Sequence, residues 1–152
     1  MLAAAQVLDA IAARITGLSL TGAHVFTDRA WPLTEATLPA WKVVSPDEDI
    51  EPLTIHTSGP QQHRLQIELQ GYVKAAAGID DAMHAIASQA ITALFNEPGT
   101  PDALSALAGR VQLSQRRVER AMKSEGQAEL GLIQITLRAE FSTLSNAPDT
   151  IL

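Results

Sequence analysis

Four histidines, His24, His56, His63 and His84, are the first residues to test for chemistry, because neutral imidazoles at the right spacing hold transition metals. No two of them stand four apart on a helical pattern, as the ligands of a helical zinc site do. His56 and His63 flank Ser58-Gly59-Pro60 and could approach across a hairpin, but polar residues at strand ends are the favoured reading, with His84 on the wet side of a helix. Asp47, Glu48, Asp49 and Glu51 crowd four carboxylates into five positions, the donor type that hard divalent cations prefer. The segment lacks the glycine and closing bidentate Glu of a calcium loop, so a solvated turn between strands is expected. Neither GxxxxGK[ST], GxGxxG nor GxSxG occurs, and Ser114 and Ser124 stand near basic residues with no base or orienting carboxylate at a diagnostic spacing.

One charge asymmetry remains. Arg110, Arg116, Arg117, Arg120 and Lys123 place five of the eleven basic residues inside fourteen positions, with Glu119 the sole acid among them. The chain as a whole is acidic, with 17 Asp+Glu against 11 Lys+Arg and a formal charge of −6. That balance argues against general or sequence-specific nucleic-acid binding, which needs a basic face. Against the acidic background the stripe is either a solvated hairpin or a contact face, for an acidic partner such as the 47–51 segment of a neighbouring copy or for DNA passing nearby. The preponderance of arginine tilts it towards an interface, since its planar fork suits carboxylates. Trp31, Pro32, Leu33, Leu38, Pro39 and Trp41 form a second concentration, holding both tryptophans of the chain. Sealing one end of a sheet is the commoner role for such a cluster; a partner patch is the alternative.

The elements that must carry these residues follow from periodicity. Leu8, Ile11, Ile15 and Leu18 recur at helical steps, predicting an amphipathic helix over 2–18. Short strands are expected at 24–27, 41–45 and 53–57, with 46–49 as a polar turn. The pattern at 64–74 is cleaner, since Leu65, Ile67, Leu69, Gly71 and Val73 alternate with polar residues, as in a strand half-buried against helices. Asp80 reads as an N-cap for a helix over 81–96, with Met83, Ile86, Ala90 and Leu94 on its buried stripe, widened by Ile91 and Phe95. A further helical turn is expected within 102–107. Val111 and Leu113 suggest another strand, but Val118 falls on the opposite phase, which calls for a bulge or a change of element. Residues 133–142 alternate again, and 145–152 should fray.

These elements predict an α+β fold, a mainly antiparallel sheet with two amphipathic helices on one face, as one domain over 1–144 with the other sheet face polar or free for a partner. The 152 residues suffice to bury a core without staples, and with no cysteine there are no disulfides, thiolate zinc sites or cysteine nucleophiles. No apolar run approaches the roughly 20 residues of a bilayer span, and the start lacks the basic residues of a secretion signal. A cytosolic setting is the default.

Several phrases of the chain resemble the tail terminator or minor tail proteins of long-tailed bacteriophages and prophages. They are the first helix, Val25-Phe26-Thr27-Asp28-Arg29, Trp31-Pro32-Leu33, Leu38-Pro39-Ala40, the acidic segment after Val43, the 64–74 strand, the Asp80-Asp81-Ala82 helix start and Leu137-Arg138-Ala139-Glu140-Phe141. The resemblance runs from residue 7 to 142. It implies a subunit without active site or cofactor that forms a ring, commonly hexameric, capping the tail tube and facing the head connector. It further implies a tail-tube protein and a head–tail connector as partners, a homo-oligomer on assembly that can be a monomer in isolation, and residence in the bacterial cytoplasm and then in the virion tail. Candidate interface residues are Arg116, Arg117, Arg120, Lys123, Trp31, Pro32, Asp47, Glu48 and Asp49. A cytosolic small-molecule or peptide-binding module using the exposed sheet face is the alternative, followed by a hydrolase or metal-dependent enzyme with an unrecognised site.

Overall fold

The computed structural model describes residues 2–27, 38–75, 77–96, 104, 107, 110–121 and 129–152, with side chains of 120 and 121 excepted. The order is α1 (Ala3–Ile15), β1 (Val25–Phe26), β2 (Ala40–Pro52), β3 (Pro60–Ala75), α2 (Ile79–Phe95), β4 (Val111–Ala121) and β5 (Glu129–Leu144). The strands form one sheet in the order β1-β2-β3-β5-β4. β1 runs parallel to β2, and every other pairing is antiparallel. The fold is α+β, as the periodicities predict.

β3 and β5 are the spine. They pair without interruption from Pro60↔Leu144 to Ala75↔Glu129. Strict alternation sends Leu65, Ile67, Leu69 and Val73 of β3, with Ile133, Ile135, Leu137 and Phe141 of β5, to one buried face. Both helices lie on that face, burying Val7, Ile11 and Ile15 of α1 and Met83, Ile86, Ala90 and Leu94 of α2 in the same core. Gly71 and Gly131 let α2 come close: a Cβ at Gly71 would stand 2.8 Å from both Ile86 Cδ1 and Trp41 Cζ3, and one at Gly131 2.6 Å from Met83 Sδ. Among the described residues no helix is long and apolar enough to cross a membrane.

Five sequence expectations are corrected. The strand expected at 41–45 does not stop at Pro46. It continues through the acidic segment to Pro52, because the register shifts between Val44 and Asp47 and a bulge takes up a proline that has no N–H for the ladder. The 53–57 segment is consequently the connection to β3 and not a strand, closed by a bond from Leu53 N–H to the Pro60 carbonyl. α2 begins at Ile79, with Gly78 at its N-cap in the left-handed region at φ 68°, so Asp80 is a first-turn residue near the positive helix end and not the cap. Phe95 is exposed, because α2 ends there and its buried stripe stops at Leu94.

The tail beyond 144 is the fifth. Ala3 N–H donates to the Pro148 carbonyl (3.0 Å), Gln6 Nε2 to the Asp149 carbonyl (2.7 Å) and Leu152 N–H to the Ser142 carbonyl (2.9 Å), while Ile151 packs on the core. α1 has no side-chain cap at Leu2, and the returning tail supplies an acceptor for its first free N–H.

Candidate assembly interface

The basic segment is the β4 edge strand. Its register jumps between Leu113↔Leu137 and Gln115↔Thr136, leaving Ser114 as the bulged residue, with its hydroxyl donating to the Thr136 carbonyl (3.1 Å). The bulge resolves the phase conflict in the sequence: Leu113 and Val118 lie opposite Leu137 and Ile133, both from the buried row of β5. α2 packs on β3 and β5, and β4 projects beyond it. Leu113 and Val118 are therefore 40% and 39% exposed, a large apolar pair on an edge without cover among the described residues.

The bulge also divides the arginines. Arg116 pairs with Ile135 and sits on the helix side of the sheet, whereas Arg117 pairs with Gln134 and sits on the wet side, where its Nε is 3.2 Å from Glu119 Oε1. The backbone of Arg120 falls opposite Gly131. Arg110 precedes the strand, and its carbonyl accepts from Glu140 N–H. Lys123, Trp31 and Pro32 lie outside the described residues. Trp41, the other tryptophan of that cluster, is fully buried in β2 beneath Gly71, which makes it core and not a partner patch.

At the opposite edge, β1 pairs with β2 only at Trp41 and Lys42. From the bulge to Pro52 the outer side of β2 has no pairing strand among the described residues. This open stretch carries Asp47, Glu48, Asp49 and Glu51, with alternate residues on opposite faces. Asp47 and Asp49 lie opposite Gln66 and Arg64 on the wet side, and neither makes an ion pair among the described residues. Glu48 turns to the helix side, where its Oε1 is 2.7 Å from His63 Nδ1. Ile50, on the same side, is 52% exposed. The connection beyond it carries Leu53 and a fully extruded Ile55.

His63 is the polar site that the sequence reading missed. It is buried, its ring stacks on Phe141 with centroids 4.8 Å apart, and its Nε2 is 2.8 Å from the Thr143 hydroxyl. A carboxylate can only accept, so Nδ1 carries the proton donated to Glu48, and a neutral ring then accepts from Thr143. The row Glu48, His63, Thr143 has the outline of an acid, base and hydroxyl set. Thr143 is fully buried, so no substrate reaches its oxygen, and the arrangement acts as a polar clamp across three strands. His56, in the exposed connection, takes no part. Among the described residues no three His, Asp or Glu converge as a metal site. The clue in the sequence was phase, since position 63 continues the row of Leu65 and Ile67.

No protein-family model matches the chain, and no curated protein matches it. Among solved structures it is similar to a chain described as "Virion of native gene transfer agent (GTA) particle". Identity is 18%, 92% of each chain is covered, and the TM-score is 0.45.

The wet sheet face completes the surface. Arg64 reaches Glu51 (3.7 Å) and Glu140 (3.8 Å), and Glu140 also meets Arg138 (3.3 Å), a row of exposed ion pairs across three strands. Such pairs contribute about 0–1 kcal/mol each and leave the face hydrated. A shallow hollow of about 400 Å³ lies among Asp49, Arg64, Ser114, Thr136 and Arg138. Tyr72 on this face has its phenol pushed above the usual tyrosine value by burial, and its hydroxyl donates to Gln70 Oε1 (3.1 Å).

Proposed function

We propose that this chain is a non-enzymatic structural subunit of a phage-like virion, of the tail terminator kind, which oligomerises as a ring on the tail tube and faces the head connector. Its work is done by surfaces. The observation that carries the reading is a sheet that, among the described residues, is covered by helices on one side only, with an acidic edge at β2 and a basic edge at β4 that no described strand pairs. The resemblance of its loop and strand phrases to tail terminator proteins gives those edges their context. The alternative, a small-ligand module on the wet face, is less well supported: the hollow there is shallow, and Arg64 and Arg138 on its rim are already paired with Glu140.

The test is to add the purified chain to tail tubes of the cognate particle and follow co-sedimentation and electron microscopy. Density capping one end of the tube, with tube elongation arrested, is the expected result. A chain that neither binds tubes nor changes their length sinks the proposal. A saturable thermal shift with a small ligand would transfer support to the binding module.

A further inference from the structure

Resting on the assembly reading, we infer that copies of this chain join by sheet extension, with the basic β4 edge of one copy pairing antiparallel with the acidic 47–52 edge of β2 in the next. Strand direction permits this union. β2, β3, β5 and β4 alternate in direction, so β2 and β4 run oppositely, and a second copy set beside the first in the same orientation continues the antiparallel pattern. Both edges present backbone donors and acceptors with no pairing strand among the described residues.

Charge selects which edges meet. Two β4 edges would oppose Arg116 and Arg117 to themselves, and two β2 edges would oppose four carboxylates, whereas like charges across a ladder destabilise it. Only the β4-to-β2 union is complementary, which makes the contact head-to-tail and leaves the assembly with one free β4 edge and one free β2 edge at its two ends. The faces match as well. On the wet side Arg117 of one edge meets the Asp47 and Asp49 side of the other. On the helix side Arg116 and the exposed Leu113 and Val118 meet the side bearing Glu48 and exposed Ile50.

β1 sets the offset. It covers β2 at residues 41–42, so an incoming strand can reach only the stretch beyond the bulge. That stretch lies level with β3 residues 61–66, while Arg116 to Arg120 lie level with β3 residues 69–73. Matched faces require an even shift, and displacing successive copies along the strands by six residues, roughly 20 Å at about 3.3 Å per residue, sets Arg117 opposite Asp49 and Val118 opposite Glu48.

The test uses sedimentation velocity of the full chain up to millimolar concentration, beside thermal melts that verify folding. Arg116→Glu/Arg117→Glu and Asp47→Lys/Asp49→Lys should each raise the concentration needed for self-association at least tenfold. Mixing the two reversed variants should restore association, and the variant carrying all four changes should associate with itself but not with the unaltered chain. The chain has no cysteine, so copies carrying Ile50→Cys mixed with copies carrying Val118→Cys report the contact directly through a short bismaleimide. Association indifferent to both reversals, or reversed variants that fold yet are not rescued by mixing, overturns the edge assignment. So does a chain that is strictly monomeric at millimolar concentration and gives no cross-link. Tube capping by such a chain would leave the virion role standing while this contact fell.

Discussion

His63 Nδ1 lies 2.7 Å from Glu48 Oε1, joining β2 and β3 beyond the bulge at the root of the acidic arm, and the same ring reaches Thr143 of β5 through Nε2. His63→Phe keeps a flat ring against Phe141 but strands the buried Thr143 hydroxyl. An unpaired buried hydroxyl costs about 1–3 kcal/mol, and the variant should lose that much in urea unfolding. Glu48, part-exposed at 28%, can turn to water. Adding Thr143→Val removes the stranded hydroxyl and should recover most of the loss, a coupling that a double-mutant cycle measures. Strictly additive losses would mean that the clamp has no energetic meaning.

The two close approaches of α2 should respond unequally to an added methyl. At Gly71 the new Cβ meets Ile86 Cδ1 and Trp41 ring carbons within 2.9 Å, all in the buried core, and Gly71→Ala should cost about 1–3 kcal/mol by overpacking. At Gly131 the nearest atom is Met83 Sδ, the yielding part of an adaptable side chain, so Gly131→Ala should cost under about 1 kcal/mol. Denaturant midpoints of the two variants decide the order, and an equal or inverted ranking would show that Ile86 and Trp41 yield more readily than Met83.

What could be read in advance divides by whether the cause is local. The 64–74 and 133–142 alternations and the Met83, Ile86, Ala90, Leu94 stripe were legible because one period holds over the whole segment, and so was the phase break between Leu113 and Val118, although the sequence left a bulge and a change of element equally open. Pro46 concealed the length of β2, since a proline within four polar residues is the composition of a turn, and only pairing with β3 beyond a bulge reveals the strand. The basic stripe and the acidic cluster could each be found in the sequence. Their positions on opposite edges of one sheet follow from the β1-β2-β3-β5-β4 order, which no local pattern encodes. His63 looked like a surface residue because nothing near it in sequence announces Glu48 and Thr143 as its partners.

Tyr72 is the one tyrosine of the chain, so phenolate absorbance reports it alone. Burial raises its ionisation above the ordinary value of about 10, because the anion is the form that desolvation penalises. The unfolded chain then releases the proton first. Stability should be unaffected by this group below about pH 10 and should fall as pH rises from there towards the folded value. Native phenolate appearing at or below the ordinary value would contradict the burial argument, and Tyr72→Phe should remove the tyrosine-linked part of the alkaline loss.

The C-terminal tail should behave as part of the fold. Without a side-chain cap at Leu2, α1 relies on the Pro148 carbonyl for Ala3 N–H and on the tie from Gln6 to Asp149, and Ile151 covers apolar surface beside them. Losing a helix cap costs about 1 kcal/mol, and partial exposure at Ile151 adds about the same. A chain ending after Asn146 should therefore be about 2 kcal/mol less stable to urea, with faster amide exchange at Ala3. Asp149→Ala should change little, because Gln6 bonds the backbone carbonyl there and not the carboxylate. A truncated chain with unaltered stability and unaltered Ala3 exchange would return the tail to the frayed state that its composition suggests.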